Sequence, residues 1–322
     1  MPSGEFELIN NFFSSHFSSS HSQDDETLLI DNGDDAAAVL VEAGYALLTC
    51  VDTLVAGVHF PEDAPVESIG FKSLAVNVSD IAAMGGVPKW ATLALTIPEY
   101  DKSWLEAFSK GFFKIANQYG IKLIGGDTTK GPLTVSVQLM GIVEQDKQLL
   151  RGGAKVGDKI FVTGRLGEAG IGLDSWQKKT DLSEIAQCYH DRLNYPEPQL
   201  EIGRKIRELA SAAIDISDGL ASDLIHILDA SKVGAKIYED NIPLPRLPNI
   251  LLPRTLLQYA LYSGDDYQLC FTASPEYAEN VLSISNEITE IGEVISGSKL
   301  ILESKSGAEN IVTADGYNHF AS

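Results

Sequence analysis

The chain has 322 residues and a mass of 34.8 kDa, enough for one very large domain or two of ordinary size. Hydrophobic residues make up 44% and charged residues 21%, which supplies a core and excludes an intrinsically disordered chain. Lys and Arg total 24 against 45 Asp and Glu, and the resulting charge of −21 repels phosphate backbones and anionic lipid, so no nucleic-acid or membrane partner is expected.

Cys50, Cys188 and Cys270 are widely spaced and form no CxxC pair, which argues against a disulfide framework or a thiolate zinc site. The N-terminus is acidic, with no apolar segment behind it, and no apolar run reaches the ~18 residues of a membrane span. A cytoplasmic protein is expected.

In chain order, a short helical pattern covers Glu5 to Phe13, and a Ser-rich stretch from Ser14 to Asp25 reads as a loop. Ala37 to Val41 and Tyr45 to Val51 have alternating patterns and read as two strands joined by a tight turn at Glu42-Ala43-Gly44. Pro65 to Met84 has helical spacing and stops at Gly85-Gly86-Val87-Pro88, and Trp90 to Ile97 is a strand. Asp101 is placed to cap a second long helix that Gly120 ends. Strands follow at Ile121 to Ile124 and Leu133 to Val143. Between Glu144 and Asp158 the apolar periodicity lapses, which puts a domain boundary there and gives domains 1–148 and 149–322. The second half restarts with strand Lys159 to Thr163, a glycine-rich turn from Gly164 to Gly172, strand Ala212 to Ile216 and helix Gly219 to Lys232. A Pro-rich connector precedes the last strands and a helix. Strands and helices mix without strict βαβ order, so the fold class is α+β, or irregular α/β, in two domains.

The acidic residues are unusual in their placement. Asp34-Asp35, Asp52, Asp127, Asp215, Asp218 and Asp265-Asp266 stand at element ends among Gly, Ser, Thr or apolar residues, and Asp80 lies inside an apolar helix one turn from Asn77. Taken singly, such acids cap helices or shape turns, as Asp218 and Asp127 could. Together they point to hard divalent cations, because buried carboxylates need cations or dense hydrogen bonding and an all-oxygen set suits Mg²⁺. Mg²⁺ held without a full protein cage leaves phosphates as the remaining ligands. No GxxxxGK[ST] loop, HRD…DFG pair or GxSxG elbow occurs, and the GxxGxG run Gly167 to Gly172 is not a dinucleotide fingerprint. Arg151 is then the outstanding basic candidate for a nucleotide phosphate.

Several stretches resemble the thiamine-monophosphate kinase family, within the ATP-binding superfamily that includes aminoimidazole ribonucleotide synthetase. They are Gly33-Asp-Asp, Asp52-Thr-Leu-Val-Ala-Gly-Val-His59-Phe, Lys72 to Gly85 around Asn77 and Asp80, Ile124-Gly-Gly-Asp127-Thr-Thr, Ile214-Asp-Ile-Ser-Asp-Gly-Leu, Ser263-Gly-Asp-Asp-Tyr and Asp315-Gly-Tyr317-Asn-His-Phe320. The resemblance implies transfer of a phosphoryl group from ATP to thiamine monophosphate, with several Mg²⁺ ions, in a homodimer whose N-terminal sheets close into a barrel. It implies an N-terminal ATP/Mg-binding and dimerisation domain and a C-terminal α/β domain. Carried over by position, Asp35, Asp52, Asp80, Asp127, Asp215 and Asp218 are implied metal ligands, Asp127 and Asp218 being the catalytic pair. Gly126, Asp127, Arg151 and Ser217 are implied ATP contacts; His59, Asp265 and Tyr317 are implied contacts for thiamine monophosphate. Cys50 and Val51 stand where the family often has hydroxyl residues, leaving backbone carbonyls there, and Asp265 stands for a longer acid.

The implied reaction is chemically coherent. A phosphate monoester is mostly dianionic at neutral pH and needs no general base, and the sequence carries no base motif beside the acids. The obstacle is charge: at ~4 Å and an effective dielectric of ~20, each unit repulsion costs about 4 kcal/mol, which cations on an Asp scaffold offset. The cationic thiazolium of thiamine suits an acidic pocket, with Tyr317 available to stack on it. Two other readings remain open at this level: a ring-closing or acyl-phosphate-forming synthetase of the same superfamily, and a non-catalytic Mg-nucleotide-binding protein.

Overall fold

The computed structural model describes residues 12–13, 27–31, 35–182, 185–247 and 250–314. The expected first helix (apart from Phe12 and Phe13), the Ser-rich stretch, Asp34 and Tyr317 lie outside these residues. Two compact units emerge: residues 1–81 with 86–146, and residues 82–85 with 147–322. Among the described residues, no helix is long and apolar enough to cross a membrane.

The first unit holds β1 (Leu28–Ile30), β2 (Ala38–Val39), β3 (Tyr45–Val55), α1 (Val66–Ala83), β4 (Val87–Ile97), α2 (Lys102–Tyr119), β5 (Lys122–Lys130) and β6 (Thr134–Glu144). The main sheet has the order β3-β6-β4-β5, antiparallel except for the β4–β5 pair, which α2 connects. Asp101 caps α2 by accepting the N–H groups of Ser103 and Trp104, and Gly120 closes it in the left-handed conformation. The apolar sides of α1 and α2 are buried through Leu74, Val78, Ile81, Leu105, Phe108, Phe112 and Ile115, as are Val135, Val137, Leu139, Leu93 and Leu95 of the sheet.

The expected hairpin of residues 37–51 does not form. β2 pairs with β1, and β3 pairs along its whole length with β6, some ninety residues later (Tyr45↔Glu144 to Val55↔Thr134). An eleven-residue ladder outcompetes a turn of Glu42-Ala43-Gly44 that has only a two-residue strand on its other side.

The second unit contains β7 (Lys159–Thr163), α3 (Glu168–Trp176), α4 (Ala186–Asn194), α5 (Leu200–Ile206), β8 (Ala210–Asp215), α6 (Leu220–Ser231), β9 (Gly234–Tyr238), α7 (Leu256–Tyr262), β10 (Leu269–Ala273), α8 (Ala278–Ile284), β11 (Ile288–Ile295), β12 (Leu300–Glu303) and β13 (Glu309–Val312). Its seven-stranded sheet runs β13-β12-β9-β11-β7-β10-β8. Strand residues alternate between two cores. Ile160, Val162, Ile214 and Cys270 pack with Leu220, Leu224 and Leu261 of α6 and α7. Phe161, Ala213, Leu269 and Phe271 pack on the other face with Ile202, Ile206 and Val281 of α5 and α8. A sheet covered on both faces explains why β7 and β10 read as continuous apolar runs.

Candidate functional site

In the first unit, Asp52 sits on β3 and Asp127 on β5. The register row Asp52↔Val137↔Leu93↔Gly126 crosses the whole sheet, so Asp52 and Asp127 belong to opposite edges, three strand spacings or about 14 Å apart. They also belong to opposite faces. Asp52 shares its face with buried Val137 and Leu93; Asp127 shares its face with Ala94, Ser136 and Thr53, on the open side. The strand expected to end at Ile124 runs on through Gly125 to Thr129, in parallel pairing with Thr92 to Thr96, so Asp127 lies within β5 and not in a turn. Glycine is required there, because a Cβ on Gly126 would stand 2.0 Å from the carbonyl oxygen of Leu93.

Asp52 faces α1. Burial raises its carboxyl above the ordinary range, as expected for an acid set against a helix. Two residues along the same face, the Cys50 thiol lies 3.5 Å from the Asn77 carbonyl and 3.6 Å from its Oδ1. Asn77 is fully buried and Asp80 lies one turn further along α1, so Cys50, Asp52, Asn77 and Asp80 line one seam between strand and helix. Asp35 is exposed, just before β2. His59 closes a turn after β3: its Nδ1 accepts the Val55 N–H at 3.0 Å, and its carbonyl accepts Lys72 Nζ at 3.3 Å. A neutral imidazole accepting at Nδ1 carries its proton on Nε2. Lys72 is only 2% exposed and was not singled out from the sequence; a lysine inside an apolar helix was the available signal.

In the second unit Asp215, Ser217, Asp218 and Asp265 come together at one turn. Asp215 ends β8, and the chain turns through Ile216, Ser217 and Asp218 into α6. A strap, residues 263–268, closes over this turn: Ser217 O accepts the Asp265 N–H at 2.8 Å, Ile216 O accepts the Tyr267 N–H at 2.9 Å, and Gln268 O accepts the Ile216 N–H at 2.7 Å. The strap is conformationally costly, with Asp265 at φ 59° and Tyr267 at φ 48°, both left-handed. Gly264 at φ 68° completes it; a Cβ there would lie 2.2 Å from Ser217 O.

Asp218 does not cap α6. Glycine 219 holds the N-cap position without any side-chain cap. The turn is instead held by Asp223, one turn into the helix and 2% exposed, whose Oδ2 accepts the N–H groups of Ser217 and Asp218, each at 3.0 Å. Burial, reinforced by neighbouring Asp215 and Asp218, pushes the Asp223 carboxyl up to about 8. Sequence reasoning missed Asp223, although it carries the same signal as Asp80, an acid within an apolar helix. Arg151 is exposed, and the carbonyl of its neighbour Leu150 accepts the Ala213 N–H on β8. Asp266 is 8% exposed; its carboxylate accepts the Gly167 N–H at 2.6 Å and the Ala169 N–H at 3.4 Å, and burial pushes it up to about 7.

Among the described residues, no three or more His, Cys, Asp or Glu side chains are grouped so as to hold a metal ion by themselves. The donors that are present still fit Mg²⁺. They are carboxylates and carbonyls, and Mg²⁺ keeps several water or phosphate ligands rather than entering an all-protein cage.

Comparison with known proteins places the chain. The family model for AIR synthase related protein, N-terminal domain, matches residues 33–143, and that for the C-terminal domain matches residues 155–305. The chain is 41% identical to the thiamine-monophosphate kinase of Buchnera aphidicola subsp. Schizaphis graminum, over 99% of this chain and all of the relative. The crystal structure of thiamine-monophosphate kinase from Stenotrophomonas maltophilia K279a superposes with a TM-score of 0.84 at 39% identity, covering 93% of this chain and 96% of that one. A further solved structure, AaThiL complexed with AMPPCP and TMP, has a TM-score of 0.78 at 31% identity, with 98% and 97% covered. The chain belongs to the AIR synthase related proteins and, within them, to the thiamine-monophosphate kinase family.

Proposed function

We propose that the protein transfers a phosphoryl group from ATP to thiamine monophosphate, giving thiamine diphosphate and ADP. The observation that carries this reading is the end-to-end match to thiamine-monophosphate kinases, together with a neighbour that holds AMPPCP and TMP at once. In this reading Asp35, Asp52, Asp80, Asp127, Asp215 and Asp218 hold several Mg²⁺ ions, and Gly126, Asp127, Arg151 and Ser217 contact ATP. His59, Asp265 and Tyr317 contact thiamine monophosphate, His59 through its Nε2–H. When bound, Mg²⁺ would offset repulsion between the two phosphate substrates and draw charge from the transferred group.

The chain's own contribution is placement. The acceptor phosphate is already a nucleophile at neutral pH, so Asp127 and Asp218 act as scaffold and charge rather than as proton acceptors. Asp223 and the 263–268 strap fix the turn that carries Asp215, Ser217 and Asp218, which limits reorganisation during the transfer.

We assign residues 1–148 to an ATP/Mg-binding and dimerisation domain, and residues 149–322 to a C-terminal α/β domain that adds Arg151, Asp215, Ser217 and Asp218. A homodimer is supported by the open face of the first sheet. Tyr45, Leu47 and Val51 are exposed there, with Met140 and Ile142 on the same side, and neither β3 nor β5 has a further strand partner among the described residues. A second copy would cover that face and those edges. A cytoplasmic location agrees with Cys50, Cys188 and Cys270 being free thiols. The test is a coupled assay for ADP: release should depend on both thiamine monophosphate and Mg²⁺, and ADP release that ignores the thiamine ester would overturn the assignment.

A further inference from the structure

The second unit contains a cavity of about 560 Å³ that the proposed reaction does not use. It opens beyond the end of β7 and the starts of β10 and β11, and its volume falls within the range of small-molecule sites. Its walls are polar and, in a chain of charge −21, rich in arginine. The sequence has seven arginines, all between Arg151 and Arg254, and three of them (Arg165, Arg192 and Arg246) line this one space.

The carboxylates around it are largely engaged. Glu168 and Glu197 are held by Arg192 at 3.2 and 3.3 Å, and Asp266 is held by the backbone N–H groups at the start of α3. Burial raises the carboxyls of both Glu168 and Asp266, that of Asp266 to about 7. Arg165 spends one Nη1 bond on the Leu244 carbonyl at 2.9 Å and keeps the rest of its fork; Arg246 has no carboxylate partner among the described residues. Glu287 is the remaining acid on the wall. The wall holds three arginines and four carboxylates, and the forks of Arg165 and Arg246 are the groups on it able to take an oxyanion, because planar five-donor groups bind phosphate bidentately.

We propose that this cavity is a second anion site, which binds a small molecule through a phosphate or diphosphate group held by Arg165 and Arg246. It is distinct from the Asp215–Asp218 side, and the strap separates the two: the backbones of Asp265, Tyr267 and Gln268 bond to the turn, whereas Asp266 and Gln268 also line the cavity. The proposal does not depend on the kinase reading.

The test is calorimetric titration of the full-length protein with inorganic pyrophosphate in EDTA, which removes metal-mediated binding at the Asp cluster. Wild type and Asp218→Asn should bind alike, within about twofold. Arg165→Gln/Arg246→Gln should weaken binding at least tenfold with an unchanged far-ultraviolet spectrum, and Arg204→Gln, an arginine elsewhere on the surface, should have no effect. Should the double variant fail to fold, Arg246→Gln alone, on an exposed side chain, should still weaken binding severalfold. Absence of pyrophosphate binding, binding that survives Arg246→Gln, or binding abolished by Asp218→Asn would each overturn the proposal.

Discussion

Asp223 makes the sharpest claim about how the second unit works. Its Oδ2 takes both N–H groups of the Ser217–Asp218 turn at 3.0 Å, and with the carboxyl pushed up to about 8 the side chain is mostly neutral at pH 7 in the metal-free protein. Asparagine has the same shape, is neutral and keeps one oxygen able to accept both bonds. Asp223→Asn should therefore change stability by less than about 1 kcal/mol at pH 7. Asp223→Ala leaves two part-buried N–H groups unpaired, at about 1–3 kcal/mol each, and should cost roughly 2–6 kcal/mol in all. For a unit of this size that is a fall of the order of 5–15 °C in its melting temperature. Denaturant melts in EDTA give the stability, and initial rates across an Mg²⁺ titration give the function. Asp223→Ala, wherever it stays folded, should need at least about tenfold more Mg²⁺ for half-maximal rate, while Asp223→Asn stays within about threefold. Equal stability of the alanine and asparagine variants, or an unshifted Mg²⁺ requirement in the alanine variant, would refute the assigned role.

Other expectations follow from the same geometry. Asp127→Asn and Asp218→Asn should each lower kcat by orders of magnitude with unchanged circular dichroism, and near-normal turnover in a folded variant would remove that residue from the machinery. Gly264→Ala puts a Cβ 2.2 Å from Ser217 O at φ 68°, so it should destabilise the second unit by about 2–4 kcal/mol and lower turnover; a neutral melt would show that the strap is free to shift. Asp266 gives a pH effect. Its folded value, about 7, lies above the ordinary 3.8, so ionising it penalises the folded state and stability is lost as pH rises through the folded value. That loss is about 2–3 kcal/mol between pH 5 and 8, and Asp266→Asn should flatten the slope whatever its constant cost from the Ala169 N–H. An unchanged slope would exclude Asp266 as its source.

The legible parts of the fold were those set locally. Asp101 and Gly120 mark the ends of α2 because capping is decided within one turn. The α1 boundary was legible for the same reason, since Gly85 and Gly86 follow its last apolar turn. What failed depended on distant partners. The register of β3 is chosen by β6, which no local pattern reveals, and Gly125 to Thr129 looks like a turn until the parallel neighbour β4 extends it.

The site divides in the same way. The odd placement of the acids was visible, and in the second unit Asp215, Ser217, Asp218 and Asp265 do converge on one turn and its strap. Asp52 and Asp127 carry the same signal, yet the sheet sets them on opposite edges and faces. Composition could not distinguish these cases, because convergence is a property of strand order.

The most direct test of the account is the product itself. Phosphorus NMR of a reaction containing ATP, thiamine monophosphate and Mg²⁺ should show thiamine diphosphate and ADP appearing in equal amounts, with neither formed when EDTA is present. ADP accompanied by inorganic phosphate instead of the diphosphate ester, or no turnover from folded protein under these conditions, would contradict it.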